Sequence, residues 1–392
     1  MSKQIVIAGG GIGGLAAALA CARSDCQVQL IERADAFGEV GAGIQLGPNV
    51  VQVLHGWGLK AALAEVAAFP AALQVRSAAN AAVLGSLRLG ERALSLYGAP
   101  YATIHRADMH QVLLHAARNQ DNVQLHLGHC FSHFELGDGG VGVQTEQGIA
   151  LQADALIGAD GLWSRVRGQL LHDGPPRVSG HLAYRAMVEQ SELPERLRSQ
   201  VVTVWLGPRL HVVQYPVRGG AWLNVVAIVH GKVAGELQNW DHSANAQDLR
   251  AALSHTGSAL QDLVGAIDHW RLWPLCDRAP MLGAHQQACG RVALLGDAAH
   301  PMRPYMAQGA GMAIEDAACL QQELGHEASM EQRLRRYAQR RWQRNARVQA
   351  RSIRNGEIFH ATGLVRWGRD LSMRLLGEKL LDVPWLYRGP ID

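Results

Sequence analysis

The first 32 residues contain the feature that most restricts the fold of this chain. Gln4–Ala8 is a short apolar run rich in β-branched residues, which predicts a buried parallel strand. The glycine-rich run Gly9–Gly14 follows directly, and the small apolar residues of Leu15–Ala22 then predict a helix. A second apolar run, Val28–Ile31, predicts another strand and is followed by Glu32. This order of strand, glycines, helix, strand and acid predicts a Rossmann-type βαβ unit that binds a dinucleotide.

The glycines and the acid of this unit have separate predicted roles. Gly9 allows the tight turn, Gly11 lets a pyrophosphate approach the backbone, and Gly14 lets the helix pack on the strand. The helix N-terminus supplies free N–H groups and a partial positive charge for the phosphates. Glu32 is placed to accept hydrogen bonds from ribose hydroxyls. The predicted cofactor-binding residues of this segment are Gly9, Gly11, Gly13, Gly14, Glu32 and Arg33.

A second set of glycines with the same spacing, Gly137, Gly139 and Gly142, lies in a different context. Strand-like residues flank it, Phe131–Leu136 before and Val141–Glu146 after, and no helix follows. A β-hairpin turn is the better interpretation. The chain is therefore predicted to have one dinucleotide-binding domain, which disfavours an enzyme that docks NAD(P)H on a Rossmann domain of its own.

Two later strand ends complete the cofactor-binding pattern. Residues 153–161 predict a strand that ends in an Asp-Gly turn at Asp160, and Arg291–Leu295 predicts a strand closed by Asp297. A glycine-rich helix start follows at Gly309–Met312. A carboxylate at a strand end suits a ribityl hydroxyl, and a helix start suits the negative pole of an isoalloxazine ring. Together with the first motif, these segments predict that the dinucleotide is FAD.

In this order the motifs resemble those of the class A FAD-dependent aromatic hydroxylases, the para-hydroxybenzoate hydroxylase superfamily, over nearly the whole chain. Within that superfamily the sequence is most similar to the salicylate, 3-hydroxybenzoate and 6-hydroxynicotinate hydroxylases. The further segments that carry the resemblance are Gly41–Gln45 with Pro48 and Asn49, Ile104–Asp108, and Trp273–Leu275.

The resemblance assigns a place to each flavin-binding residue. It implies that Glu32 binds the adenosine ribose and Asp297 the ribityl chain, and that Arg106 reaches the FAD phosphate or ribityl region. Asp160 belongs to the family's Asp-Gly motif, which supports FAD and is also linked to the use of pyridine nucleotides. The residues implied to lie under the flavin ring are Gly309, Ala310, Gly311 and Met312.

The fold class implied is α/β, with a Rossmann-like FAD-binding domain of the glutathione-reductase type. An α+β substrate domain containing a mixed sheet is interleaved with it, and C-terminal helices follow. The predicted FAD-binding domain comprises residues 1–75, 100–177 and 270–350. The substrate domain comprises 76–99 and 178–269, and the C-terminal helical segment 351–392.

Three strand-like segments, Val201–Leu206, His211–Val217 and Ala221–Val229, are predicted to form a sheet of the substrate domain. His211 and Tyr215 lie four residues apart on one strand, so both side chains are expected on the same face. The related hydroxylases carry a histidine and a tyrosine at this spacing. The resemblance implies His211 as the general base for a substrate phenol, and Tyr215 as its hydrogen-bond partner or a substrate clamp.

Other side chains are candidates for contact with the substrate. Tyr101 precedes the Ile104–Asp108 segment, and Gln308 precedes the flavin-binding helix start. Arg185 and Arg209 are candidates for binding a substrate carboxylate, with surface roles as the alternative. The predicted substrate-binding residues are Tyr101, Gln45, Tyr305 and Gln308.

Composition narrows the class of protein. The 392 residues are 48% hydrophobic and 18% charged with a net charge of +3, which fits a soluble enzyme and does not favour nucleic-acid binding. Nine arginines between Arg333 and Arg354 predict a solvated amphipathic helix rather than a phosphate-binding one. Its predicted inward residues are Leu334, Tyr337, Trp342 and Val348.

Metal, membrane and disulfide functions are not indicated by the sequence. His126, His129, Cys130 and His133 divide between the two faces of a predicted surface strand, so no metal site is predicted there. The six cysteines include no Cys-x-x-Cys pair. No apolar run reaches the roughly 18 residues that a membrane-spanning helix needs. We expect a cytoplasmic monomer or homodimer without membrane or nucleic-acid partners.

The resemblance implies a reaction in which NADH, or NADPH, reduces FAD and O2 then gives a C4a-hydroperoxyflavin. The substrate implied is a phenolic aromatic acid of the salicylate or 3-hydroxybenzoate type, with the ring position open. Gln45 and Tyr305 stand where 6-hydroxynicotinate hydroxylases carry histidines, which counts against a hydroxypyridine substrate. Pro304 stands where 3-hydroxybenzoate 6-hydroxylases carry glutamine, which counts against 6-hydroxylation of 3-hydroxybenzoate. The alternatives are a hydroxypyridine hydroxylase and an FAD oxidase or dehydrogenase that needs no NAD(P)H.

Overall fold

The computed structural model describes residues 2–38, 42–232, 242–243 and 246–389, so that Gly41 of the segments above lies outside the described residues. The chain divides into two compact units. Unit 1 comprises Met1–Val40, Ala107–Arg177 and Cys276–Ser352. Unit 2 comprises Gly41–Arg106, Val178–Leu275 and Ile353–Asp392.

The strands, numbered in chain order, are β1 (Gln4–Ala8), β2 (Gln27–Glu32), β3 (Gly43–Leu46), β4 (Ala72–Ser77), β5 (Val83–Arg88), β6 (Ala102–His105), β7 (Val123–Leu127), β8 (Phe131–Leu136), β9 (Val141–Thr145), β10 (Ala150–Ala153), β11 (Ala155–Gly158), β12 (Arg177–Glu189), β13 (Val202–Gly207), β14 (Leu210–Val217), β15 (Trp222–His230), β16 (His242–Ser243), β17 (Arg271–Asp277), β18 (Ala288–Cys289) and β19 (Val292–Leu294).

The helices are α1 (Ile12–Ala22), α2 (Pro48–Gly56), α3 (Lys60–Val66), α4 (Gly90–Tyr97), α5 (Arg106–Arg118), α6 (Arg165–Leu171), α7 (Ala246–Ala252), α8 (Ser258–Gly265), α9 (Gly309–Leu324), α10 (Met330–Phe359), α11 (Gly363–Leu376), α12 (Glu378–Leu381) and α13 (Pro384–Tyr387). Within the described ranges, none of them combines the length and apolarity needed to cross a membrane.

Unit 1 is built on a mainly parallel sheet in the order β18-β19-β11-β1-β2-β7. β1 lies at its centre and pairs in parallel with β2 and β11, and β11 pairs in parallel with β19. The predicted glycine and aspartate motifs follow β1, β11 and β19 at their C-terminal ends, where open parallel sheets bind ligands. The prediction of a Rossmann-like domain is confirmed by this topology.

The second glycine set lies in a hairpin, as predicted. β8 and β9 flank it and pair antiparallel, and β10 extends them into a small antiparallel sheet. Because no helix follows these glycines, their N–H groups are not aligned as a phosphate site.

Unit 2 contains a mixed sheet in the order β16-β17-β12-β15-β14-β13-β4-β5. β13, β14 and β15 coincide with the three predicted strands to within a residue or two, and they pair antiparallel in sequence order. β14, which carries His211 and Tyr215, is therefore hydrogen-bonded on both sides. An internal strand of this kind holds its side chains in a fixed register.

The unit boundaries differ from the predicted domain boundaries. Residues 41–75 and 100–106, predicted to belong to the FAD-binding domain, lie in unit 2 because β3 pairs with β6 and β4 pairs with β13. Residues 353–392 also lie in unit 2, where α11 and α12 contact β5. Strand pairing between distant segments, which no local pattern reports, decides these memberships.

The arginine-rich helix α10 is amphipathic, as predicted, but one of its arginines lies in the core. The predicted inward residues are buried or partly buried: Leu334, Tyr337, Trp342 and Val348. Arg341 is also buried, with 1% of its surface exposed. Its guanidinium forms ion pairs with Glu315 at 2.8 Å and Asp316 at 2.7 Å, and this pairing permits a charged side chain in the core.

Candidate active site

The glycine-rich turn of unit 1 has a backbone that only glycine accommodates at its closest approaches. Gly9 has a φ of +104°, and a Cβ there would lie 2.5 Å from the carbonyl oxygen of Ala159. A Cβ on Gly14 would overlap the carbonyl oxygen of Gly9. A Cβ on Gly11 would meet nothing within 4 Å, so the turn is open on the side where a pyrophosphate binds. This geometry fits a dinucleotide.

The carboxylate of Glu32 is held at the end of β2. Its Oε2 accepts a hydrogen bond from the Gly10 N–H at 2.7 Å, and its Oε1 accepts one from the Ala34 N–H at 2.9 Å. A carboxylate has about four lone-pair sites, so this one can still accept from ribose hydroxyls. Arg33 follows with an exposed side chain.

The carboxylate of Asp160 holds the loop that follows β11. Its carboxylate accepts hydrogen bonds from the Ser164 hydroxyl at 2.5 Å and from the N–H groups of Arg165 and Val166 at 2.7 and 3.2 Å. Burial raises the pKa of this carboxyl. A Cβ on Gly9 would lie 2.9 Å from the Asp160 Cα, so Asp160 shapes the loop beside the glycine-rich turn and holds the start of α6.

The third motif places an acid beside a helix start. Asp297 is exposed just beyond β19, and a Cβ on Gly309 would lie 3.9 Å from its Oδ1. Gly309 and Ala310 begin α9 and are partly exposed, as a surface for the flavin ring requires. These residues therefore fit the flavin end of FAD.

Met312 departs from its predicted place under the flavin ring. Gly311 is also buried, but it belongs to the first turn of α9. The Met312 N–H donates to the carbonyl oxygen of Gln308 at 2.8 Å, and its side chain is fully buried. Met312 is accordingly a packing residue.

Tyr305 and Gln308, two of the predicted substrate-binding residues, lie in unit 1 and are buried, with 5% and 2% of their surfaces exposed.

Replacing Asp297 with alanine is expected to weaken FAD binding by roughly 10- to 100-fold, because a hydrogen bond to a charged acceptor contributes about 1.5–3 kcal/mol. The variant should purify largely colourless, and titration with FAD should show the weaker dissociation constant. Asp138→Ala, in the exposed β8–β9 turn, is the control and should retain its flavin. Full FAD occupancy in Asp297→Ala would contradict the placement of Asp297 at the ribityl chain.

Three predicted pocket residues of unit 2 form one hydrogen-bonded group. The Tyr101 hydroxyl donates to Gln45 Oε1 at 2.6 Å, and Gln45 also hydrogen-bonds to Tyr215. Burial raises the pKa of both tyrosines, which are therefore neutral hydroxyl groups at physiological pH. A Cβ on Gly43 would lie 2.6 Å from the Tyr215 ring, so the glycine of β3 makes room for the tyrosine of β14.

Arg185, which the sequence marked only as one of two candidates, is enclosed in this part of unit 2. Its guanidinium lies 5.0 Å above the Trp273 ring, and its Nε has no hydrogen-bond partner among the described residues. Burial is the main reason that the pKa of Arg185 is lowered to about 10; nearby Tyr215 opposes the shift, and the positive charge of Arg106 adds to it. Arg209, the other candidate, is exposed.

His211 and Tyr215 lie on the same face of β14, as their spacing predicts, but they have different partners. His211 Nδ1 lies 2.7 Å from His360 Nε2, and His360 Nδ1 lies 2.9 Å from His230 Nε2. Burial, followed by the charge of His181, lowers the pKa of His211 to about 3. His211 is thus a neutral imidazole at physiological pH, and burial makes it a weaker base than a histidine in water. His360 follows His211 by 149 residues, and no spacing in the sequence could have identified it.

Comparison with known proteins shows the family of the chain. A protein-family profile described as an FAD binding domain matches residues 2–352. The chain is 36% identical over 387 residues to 3-hydroxybenzoate 6-hydroxylase of Polaromonas naphthalenivorans (strain CJ2), covering 98% of this chain and 95% of that protein. It is 34% identical over 393 residues to 6-hydroxynicotinate 3-monooxygenase of Pseudomonas fluorescens, covering 98% and 97%. A salicylate hydroxylase substrate complex aligns with a TM-score of 0.83 and 28% identity, covering 98% and 95%.

The fold and the three converging motifs define this protein as a flavoprotein monooxygenase of aromatic compounds. The chain belongs to the FAD binding domain family, within which its relatives are aromatic-ring hydroxylases. The predictions of FAD as cofactor, of the para-hydroxybenzoate hydroxylase type of fold, and of an aromatic hydroxylase are thereby confirmed.

Proposed function

We propose that the protein uses NAD(P)H and O2 to hydroxylate the ring of an aromatic acid that also carries a ring hydroxyl. The observation that carries this proposal is the guanidinium of Arg185, a partly buried residue whose Nε is shielded from solvent. No carboxylate forms an ion pair with it among the described residues, and its Nε has no hydrogen-bond partner there. Because an uncompensated buried charge is unfavourable, a bound carboxylate would stabilise this arrangement.

The hydroxyl end of the substrate is assigned to the group formed by Gln45, Tyr101 and Tyr215. Their side chains can both donate and accept hydrogen bonds, as binding a phenol requires. Arg185 acts electrostatically on Tyr215, so a charged site and a hydroxyl site are adjacent within unit 2. A hydroxylated aromatic acid has both groups on one ring. This combination supports the acid over a neutral phenol.

The phenol proton is assigned to His211. A phenolate is more readily attacked by an electrophilic oxygen because its negative charge spreads to the ortho and para carbons of the ring. FAD, when bound and reduced, supplies the activated oxygen. His211 accepts the proton, and the chain from His211 through His360 ends at the exposed His230, which connects the buried base to solvent.

Replacing Arg185 with methionine is expected to weaken the binding of a hydroxybenzoate by about 10- to 100-fold, because a charged hydrogen bond is lost. Dissociation constants are measured from the change in flavin absorbance on titration. The matched control is Arg209→Met at the exposed candidate, which should bind the acid as the wild type does. The carboxamide analogue should bind weakly to wild type. Arg185→Met should bind the acid and the carboxamide with the same weak affinity. A variant that still distinguishes acid from amide would refute the carboxylate role.

The reaction is tested by following NADH and NADPH oxidation by the FAD-loaded protein with a panel of hydroxylated aromatic acids. Salicylate, 3-hydroxybenzoate and 6-hydroxynicotinate belong in the panel, and products are identified by mass. A compound that accelerates oxidation of the nicotinamide and gains one oxygen identifies the substrate class. Flavin reduction by a panel compound alone, without NAD(P)H, would instead establish the oxidase or dehydrogenase.

A further inference from the structure

Four histidines cluster in unit 2. His181 of β12 is directly opposite His230 of β15 in the strand register, and their ring centroids are 4.4 Å apart. The His360 ring, just beyond α10, lies 4.9 Å from the first and 5.0 Å from the second. His211 is next to His360, with ring centroids 5.0 Å apart. Strands β12, β14 and β15 and the residue after α10 therefore bring these imidazoles together.

We propose that His181, His230 and His360 bind a transition-metal dication of the Zn²⁺, Cu²⁺ and Ni²⁺ class. One ligand nitrogen from each residue lies within 4.8 Å of the other two. Nitrogens that share a tetrahedral zinc ion lie roughly 3.3 Å apart, because each Zn–N bond is about 2.0–2.1 Å. His230 Nε2 and His360 Nδ1 are already 2.9 Å apart, so modest side-chain rotation completes the triad.

Access and support for an ion differ among the three ligands. His181 and His360 have 8% and 6% of their surfaces exposed and are held by packing, whereas His230 is exposed. An ion can therefore enter from the His230 side and keep a fourth position for water, as three-histidine sites do. The Nε2 of His360 lies 2.7 Å from His211 Nδ1. A hydrogen bond from the second ring nitrogen commonly orients an imidazole ligand in this way.

The ligand atoms of the three histidines determine which metal ions the site can bind. Among the described residues, the metal-binding group consists of histidines alone, so Mg²⁺ and Ca²⁺ would lack the oxygen ligands they need. Imidazole nitrogen suits Zn²⁺, Cu²⁺ and Ni²⁺. The charged groups that act on the cluster, Arg209 and Arg369, oppose a dication, and Asp370 offsets one of them through an ion pair at 2.7 Å from Arg369.

An ion at this site would affect the proposed hydroxylation. With the ion on His360 Nδ1, the remaining ring proton of His360 lies on Nε2. This N–H donates a hydrogen bond to His211 Nδ1. Neutral His211 then carries its own proton on Nε2 and cannot accept another there, and the route to His230 is closed. Metal binding is thus expected to inhibit turnover. This consequence depends on the proposed function of His211, whereas the metal site itself does not.

Metal binding is tested on untagged, FAD-loaded protein treated with chelator and then titrated with Zn²⁺ by calorimetry. We expect one ion per chain. Loss of a ligand in His230→Ala or His360→Ala should weaken binding by more than the roughly 100-fold that loss of an outer-shell partner costs. His230 is exposed, so its variant should fold. His133→Ala, at a partly exposed histidine of β8, should bind as wild type does. With Cu²⁺, electron paramagnetic resonance should show coupling to imidazole nitrogens that His230→Ala loses.

No stoichiometric binding to wild type, or equal binding by His230→Ala and His133→Ala, would overturn the metal site. The inhibition is tested separately with His181→Ala, which lacks one ligand but keeps the His211–His360–His230 chain. Zn²⁺ should slow hydroxylation by wild type and leave His181→Ala unaffected. Binding without any inhibition would remove the coupling to His211. Absence of hydroxylation with any substrate would count against the proposed function and leave the calorimetric result intact.

Discussion

Replacing His211 with alanine is expected to lower the rate of hydroxylation by about 10²–10⁴-fold, the usual loss when a general base is removed. FAD content should stay close to wild type, because the phosphate and ribityl contacts lie in other segments. Thermal stability should fall somewhat, because the change empties a buried site and removes the hydrogen bond between His211 and His360. The measurement is product formation at saturating substrate, with flavin occupancy determined from absorbance. Peroxide is assayed in parallel to separate slow hydroxylation from uncoupled NAD(P)H oxidation.

Two comparisons distinguish a proton acceptor from a binding residue. Tyr215→Phe removes one neutral hydrogen bond to Gln45 and should cost only about 2- to 10-fold, consistent with 0.5–1.5 kcal/mol. A fluorinated hydroxybenzoate, whose hydroxyl loses its proton more readily, should recover part of the activity of His211→Ala. Wild-type turnover by His211→Ala, or equal losses with both substrates, would assign the proton to another group.

Replacing Arg341 with methionine is expected to lower the free energy of unfolding by about 1.5–3 kcal/mol, because each buried acid loses a charged hydrogen bond. Glu315 keeps Arg344 and Asp316 keeps His300 as remaining partners. The guanidinium contacts Glu315 at 2.8 Å and Asp316 at 2.7 Å, and both acids are fully buried. Burial alone would raise the pKa of Asp316, but His300 and Arg341 hold it well below its usual value. Denaturant and thermal unfolding, monitored by circular dichroism and flavin release, measure the loss.

Arg336→Ala is the matched control on the same helix. Arg336 pairs with Glu323 at 2.9 Å, but its side chain is 40% exposed and Glu323 keeps a second partner in Arg340. A partly exposed ion pair contributes up to about 1 kcal/mol, so this variant should remain nearly as stable as wild type. Similar losses in the two variants would show that the buried network is not what stabilises α10.

The cofactor-binding half of the site was largely predictable from the sequence because its requirements are local. Gly9 needs a positive φ, Gly14 needs the absence of a side chain, and Glu32 needs the end of a strand. Each condition depends on a few neighbouring residues and on the order strand, turn, helix. The apolar runs of β1 and β11 likewise predict buried parallel strands without knowledge of their partners.

The assignments that changed depend on which distant segments pack together. Asp160 was predicted to support the cofactor, and the structure adds that its carboxylate holds its own loop and the start of α6. Met312 was predicted to lie under the flavin, but it is a core residue. For a side chain near a motif, local spacing indicates proximity to the ligand, whereas its direction is set by the packing of the whole helix.

The sequence by itself determined the class of this protein: a single dinucleotide-binding fold, its flavin, and a histidine and tyrosine on one face of a strand. Only the tertiary structure decided how the charges are used. It buried Arg341 against two acids, enclosed Arg185 without one, and joined His211 to His360 and His230. The physical reason is that backbone conformation and periodicity are local properties, whereas the free energy of a charge or an imidazole depends on its burial and partners, which long-range packing supplies.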